Sequence, residues 1–165
     1  MNIALDSPDE AATQKLGACL AKALTVPLLI GLSGDLGTGK TTLVRALINA
    51  LVPGTRVKSP TYTLVESYAV PTAVLHHLDL YRINDPDELA ALGLDDLLSD
   101  DALVLVEWPE KGMPVLPEAD LVICLEHAAD GRRVRLWGKS PRGDKALEIV
   151  QQVLSIEWAP GFLSC

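Results

Sequence analysis

The stretch that decides the fold is Pro27-Leu28-Leu29-Ile30-Gly31-Leu32-Ser33-Gly34-Asp35-Leu36-Gly37-Thr38-Gly39-Lys40-Thr41-Thr42. Its first half is a short apolar run, read as a buried strand over Pro27 to Leu32. Its second half is a full G-x-x-x-x-G-K-T, and Thr41 to Leu51 continues at helical spacing until Pro53-Gly54. The residue types have a chemical reason. A triphosphate needs several backbone N–H groups turned into one concavity, and Gly34, Gly37 and Gly39 permit the positive φ and close approach this requires. The helix starting near Lys40 adds unsatisfied N–H groups and the positive end of its dipole. Lys40 brings an ammonium for the β- and γ-phosphates, the Thr41 hydroxyl is sized for Mg²⁺, and Thr42 is placed for a more proximal phosphate. The expected ligand is Mg²⁺ with ATP, preferred over GTP because no N-K-x-D tetrad occurs in the chain.

Such a loop also needs an acid at the end of a neighbouring strand. Asp79 ends the run Val74 to Leu78, and Glu107 ends Leu103 to Val106. Parallel strands of an open α/β sheet converge on the ligand crevice, so both acids are candidates for the metal or the attacking water. His76 and His77 are adjacent on a strand and point to opposite faces, which argues against a shared metal and for structural or surface roles.

Outward from this core, Ser7-Pro8-Asp9-Glu10 reads as a helix start with Ser7 as N-cap, followed by apolar residues from Ala12 to Leu24 at helical spacing. Leu64 to Tyr68 and Ala73 to Leu80 read as strands around Val70-Pro71-Thr72. Asp85-Pro86-Asp87-Glu88 repeats the helix-start chemistry. Leu121 to Leu125 and Val134 to Trp137 predict a hairpin about Asp130-Gly131, and Gly143 to Leu154 a last helix. The fold class expected is α/β: a P-loop NTPase with a central mixed, mostly parallel sheet flanked by helices, closed by a C-terminal hairpin and helix. Residues 1–157 are read as one domain and 158–165 as a tail of unassigned role.

With 165 residues and 48% hydrophobic content the chain can bury a sizeable core. No apolar run approaches the roughly 20 residues of a membrane span, and the N-terminus MNIALDSPDE lacks a secretion pattern. Three scattered cysteines give neither a disulfide framework nor a metal knuckle, so a reducing cytoplasm is expected. A formal net charge of −8 argues against independent nucleic-acid binding. The charge is uneven: residues 83–110 carry nine acids and no Lys or Arg, whereas 131–145 carry six basic residues and one acid. The bland reading is solvated charged faces, with the basic hairpin protected against edge pairing. The functional reading is partner docking.

Three further segments carry a resemblance: Lys58-Ser59-Pro60-Thr61-Tyr62-Thr63-Leu64-Val65, His77-Leu78-Asp79-Leu80-Tyr81-Arg82 and Glu107-Trp108-Pro109-Glu110. With Gly34 to Thr42, and in this order, the chain resembles the bacterial TsaE (YjeE) family. Those proteins are the small ATPases of the tRNA threonylcarbamoyladenosine (t6A) pathway. The resemblance implies an ATPase that supports turnover of the TsaB–TsaD transferase complex and meets tRNA only through that complex. It implies that Gly37, Thr38, Gly39, Lys40, Thr41 and Thr42 hold the phosphates, that Thr41 and Glu107 hold Mg²⁺, and that Asp79 assists the metal or the water. It further implies that Ser59, Thr61, Tyr62 and Thr63 form a switch-like loop and that Glu10 lies by the nucleoside. Trp108 would sit at the site's edge or at the partner surface. A lone ATPase of this kind has few cations for its transition state beyond Lys40, with Arg82 open between a cis role and a structural salt bridge. Slow hydrolysis stimulated by the partner is therefore expected. Two alternatives stand: a small-molecule P-loop kinase, and a nucleotide-switched binding module that does not require hydrolysis.

Overall fold

The computed structural model describes residues 2–158 and 163–164. Strand β1 (Asn2–Ser7) leads into helix α1 (Glu10–Ala23), and β2 (Leu28–Ser33) into α2 (Lys40–Leu51). The hairpin β3 (Val65–Val70) and β4 (Ala73–Asp79) follows, then the single-turn helices α3 (Asp87–Ala90) and α4 (Leu94–Leu97). After β5 (Ala102–Glu107) and a 3-10 turn (Pro109–Gly112) comes the hairpin β6 (Leu121–Ala128) and β7 (Gly131–Gly138). Helix α5 (Pro141–Glu157) and the two-residue β8 (Leu163–Ser164) complete the order.

One eight-stranded sheet runs β3-β4-β5-β2-β6-β7-β1-β8. Its middle is parallel: β4 with β5, β5 with β2, and β2 with β6. The flanks are antiparallel, because β3–β4 and β6–β7 are hairpins and β1 returns along β7. The α/β class with a mixed sheet is thus as read from the sequence, and its parallel pairings are gathered at the centre.

Alternation along the strands divides the core between the two faces. Leu28, Ile30 and Leu32 of β2 pack with Leu103 and Leu105 of β5 under α1, α2 and α5. Leu29 of β2 and Val104 and Val106 of β5 face the other way, onto Leu80, Leu89, Leu94 and Leu116. Helices α1 and α2 lie so close that a Cβ on Gly17 would stand 2.6 Å from the Leu43 carbonyl oxygen.

Two local readings are corrected. Helix α1 is capped by Asp9, not Ser7: Asp9 Oδ1 accepts from the Ala12 N–H at 2.7 Å. Ser7 is consumed by β1 and is buried, its hydroxyl 2.8 Å from that of Thr13. The β6–β7 hairpin is not an edge, because β1 pairs with β7 over Asn2↔Trp137 to Ser7↔Arg132. The only cue for β1 was the short alternation of Ile3 and Leu5, both buried here. The tail expected over 158–165 lies partly outside the described residues; within them Trp158 is buried on the α1–α5 side and the backbone of β8 pairs with β1.

Candidate active site

The loop between β2 and α2 owes its shape to three left-handed glycines, Gly34 (φ +133°), Gly37 (φ +78°) and Gly39 (φ +101°). At Gly34 a side chain is also sterically excluded, since a Cβ would lie 2.1 Å from the Leu125 carbonyl oxygen of β6. Inside the loop, the Thr38 hydroxyl donates to the Asp35 carbonyl at 2.9 Å and Thr38 is wholly buried. Lys40 opens α2 and is only 4% exposed. Its Nζ donates to the carbonyls of Gly34 and Asp35 at 2.6 and 2.8 Å and lies 4.1 Å from the centre of the Trp108 ring. Burial holds the Lys40 ammonium below its ordinary pKa, opposed by the carboxylates of Glu107, Glu110, Asp79 and Asp35.

The acids come from parallel strand ends, as the topology requires. Asp79 and Glu107 are register partners at the ends of β4 and β5, and both face α2. Glu107 is 2% exposed, with its two carboxylate oxygens 2.9 and 3.0 Å from the Thr41 hydroxyl. His77, two residues before Asp79 on the same face, is wholly buried with Nε2 2.8 Å from Glu107 Oε1. A carboxylate only accepts, so Nε2 is the donor, and Nδ1 is buried without a hydrogen-bond partner. Burial pushes the Asp79 carboxyl above its ordinary pKa; the Tyr81 N–H at 3.0 Å opposes this and nearby Glu107 adds to it. Trp108 follows with a left-handed backbone (φ 58°), its N–H bonded to the Leu32 carbonyl at 3.1 Å, and Tyr81 stacks obliquely on its ring at 5.2 Å.

These groups enclose a cavity of about 400 Å³ lined by Leu36, Gly37, Gly39, Lys40, Thr41, Thr42, Ser59, Thr61, Asp79, Tyr81, Arg82, Glu107, Trp108 and Arg132. Most residues singled out from the sequence therefore meet in one place, and some do not. Gly34 and Thr38 shape the loop from behind. Glu10 lines an adjoining depression with Gln14, Thr42 and Arg45. Tyr62 is 84% exposed beneath the Arg82 guanidinium, 4.8 Å from its ring, and the Thr63 hydroxyl turns to Glu66 at 3.0 Å. Arg82 forms no ion pair among the described residues. Sequence reasoning missed His77 as a group touching Glu107, although strand alternation from Asp79 puts it on the same face. It missed Arg132 as a cavity residue, which nothing local could reveal.

A family model described as "Threonylcarbamoyl adenosine biosynthesis protein TsaE" matches residues 7–134. The chain belongs to the TsaE family. The TsaE protein of Haemophilus influenzae, named as a tRNA threonylcarbamoyladenosine biosynthesis protein, is 39% identical over 141 residues, covering 82% of this chain and 89% of that one. The TsaE of Bacillus subtilis is 37% identical over 128 residues, covering 77% and 78%. That of Aquifex aeolicus is 35% identical over 140 residues, covering 83% and 96%. Among solved structures, Bacillus subtilis YdiB superposes with a TM-score of 0.70 at 24% identity, over 92% of this chain and 94% of that one. This last likeness speaks for the fold. The TsaE match spans the loop, both strand-end acids and the start of β7, and so includes every residue lining the cavity.

Proposed function

We propose that this chain binds Mg-ATP in the cavity above α2 and hydrolyses it to sustain t6A formation on tRNA by the TsaB–TsaD complex. The observation that carries the reading is the Thr41 hydroxyl set against the buried Glu107 carboxylate, beside the Lys40 ammonium and the glycine loop. Membership of the TsaE family and the names of the relatives from Haemophilus influenzae and Bacillus subtilis support the pathway.

A hydroxyl and a carboxylate side by side are oxygen donors suited to Mg²⁺, which is commonly held by one or two carboxylates together with substrate phosphates. Thr41 and Glu107 would hold the ion, and it would neutralise charge developing between the β- and γ-phosphates. His77 fixes the Glu107 carboxylate by donating to it, as outer-shell partners do. Lys40 exchanges its two loop carbonyls for phosphate oxygens, a trade of neutral acceptors for anionic ones. Asp79, its proton affinity raised by burial, is placed at the cavity wall to orient water and accept its proton. Arg82 stacks on Tyr62, which leaves room for a cation supplied in trans; such a group is worth about 10³–10⁵ in rate in the GTPase analogue.

Phosphate release by the full chain should be slow alone and rise on addition of TsaB–TsaD; unchanged turnover would overturn the partner assignment. Glu107→Gln should keep ATP binding while hydrolysis and repeated tRNA modification fall. Modification sustained by that variant would favour the nucleotide-switched module. A kinase reading needs a cation-rich lid, and the sheet uses two of those cations itself: Arg133 pairs with Asp6 at 3.1 Å and Arg135 with Glu126 at 3.3 Å.

A further inference from the structure

We infer that Lys111 is a positioning residue for hydrolysis: it pins Tyr81, and through the Tyr81 N–H the Asp79 carboxylate, to the segment that follows Glu107. The inference rests on the ATP hydrolysis proposed above, in which Asp79 orients water.

Asp79 and Glu107 end neighbouring strands in register, and the pairing of those strands runs out just beyond them. One more backbone bond follows, from the Leu80 N–H to the Glu107 carbonyl at 3.1 Å. The two segments then part. Tyr81 is 42% exposed, while Trp108 turns away on a left-handed backbone into the 3-10 turn Pro109–Gly112. Asp79 Oδ1 accepts from the Tyr81 N–H at 3.0 Å, the contact an aspartate makes with the backbone two residues on at a turn. The aim of the carboxylate therefore depends on where the Tyr81 backbone is held, and burial alone does not hold it.

Lys111 supplies the hold. Its Nζ donates to the Tyr81 carbonyl and lies 4.9 Å from the centre of the Tyr81 ring. At its other end the Lys111 N–H donates to the Trp108 carbonyl at 3.1 Å. The next residue is pressed onto the core, since a Cβ on Gly112 would lie 2.8 and 2.9 Å from the side chains of Leu89 and Leu80. Tyr81 in turn stacks on Trp108. One ammonium thus joins the residue two beyond Asp79 to the turn beyond Glu107, across the gap where strand pairing ends. A cation suits both partners, because its charge strengthens the bond to the carbonyl and is attracted by the ring. Lys111 forms no ion pair among the described residues, so its ammonium is given to these two groups.

This role acts on rate rather than on affinity. Lys111 is not among the residues lining the cavity, and Lys40 and Thr41 make their contacts without it. For a group that orients water, a misplacement of about 1 Å can cost about a hundredfold in rate.

The test is steady-state phosphate release from ATP in the presence of TsaB–TsaD, with ADP calorimetry alongside. It uses the full chain as wild type, Lys111→Met, Lys111→Arg, Asp79→Asn and the Asp79→Asn, Lys111→Met pair, each checked by thermal unfolding. Lys111→Met should lower kcat by about ten- to a hundredfold and leave KM and ADP affinity within about threefold of wild type. Lys111→Arg should restore most of the loss, since a guanidinium also donates to carbonyls and lies on aromatic faces. With Asp79→Asn already present, Lys111→Met should cost less than about threefold more, because both changes remove the same interaction. If Asp79→Asn alone has no measurable turnover, the split between kcat and KM and the recovery by arginine decide. If Lys111→Met does not fold, Lys111→Ala is held to the same outcomes. An unchanged kcat, a loss carried by KM or ADP affinity, no recovery with arginine, or losses that multiply in the pair would each overturn the assignment. A wild type that hydrolyses ATP beside an unaltered Lys111→Met defeats this inference alone. A wild type that neither binds nor hydrolyses ATP defeats it together with the reading it rests on.

Discussion

Lys40 shows how the protein's own groups assemble the site. A lysine buried to 4% exposure normally needs a carboxylate, yet its ammonium rests on two loop carbonyls and the face of Trp108. Those are weaker partners than a phosphate, so the exchange favours nucleotide entry. Lys40→Ala should abolish the heat of ATP binding in calorimetry with millimolar magnesium, with the fold retained by circular dichroism. His77 acts one step back. Replacing it by Leu removes the donor that orients Glu107, and the magnesium concentration that half-saturates hydrolysis should rise by about 10–100-fold. A hydrolysis curve unchanged in magnesium would show that Glu107 needs no such support.

Among the elements, the β2–α2 turn is held from outside as well as by its own glycines. Gly34 sits against Leu125 of β6, so Gly34→Ala must move a strand or abandon a backbone with φ +133°. Unfolding in urea should show a loss of at least about 2 kcal/mol, since strain and clash add. Strand β4 supplies a pH test on its other face. His76 is partly buried and bonded to Ser67 of β3 at 2.8 Å, and burial lowers its pKa, opposed by Asp101. Below the unfolded pKa of about 6.5 the unfolded chain therefore binds more protons than the native one. Stability contributed at this site is present above that pH and is lost as the pH falls towards the native pKa. His76→Gln should flatten the dependence of the urea midpoint between pH 7 and pH 5; an identical slope would show that other groups govern it.

At the scale of the molecule, the sheet separates two apolar layers, and β2 contributes to both. Ile30 is wholly buried between β5 and β6. Ile30→Ala should cost about 2–5 kcal/mol by chemical denaturation, the range for a large aliphatic removed from a packed core. Charge is also resolved at this scale. The basic stretch 131–145 spends Arg133, Arg135 and Arg142 on Asp6, Glu126 and Asp120, so half of its six basic residues are paired within the fold. Among the described residues no helix is long and apolar enough to cross a membrane.

Gly34 to Thr42 announced their own chemistry, because a phosphate loop is a local object: glycines, a lysine and a threonine hydroxyl at fixed spacing after an apolar strand. Asp79 and Glu107 were legible for a related reason, since an acid ending a strand is brought by parallel pairing to the carboxyl end of the sheet, where the ligand crevice lies. Helix and strand periods likewise lie within a dozen residues and can be read along the chain. What the residues could not announce were meetings between distant segments. His77 reached Glu107 only when β4 paired with β5. Arg132 reached Gly39 only when β7 was fixed between β6 and a β1 whose own signal was two alternating aliphatics. Those contacts depend on strand order and register, which are decided by how the two apolar layers close over the whole sheet and by no local pattern.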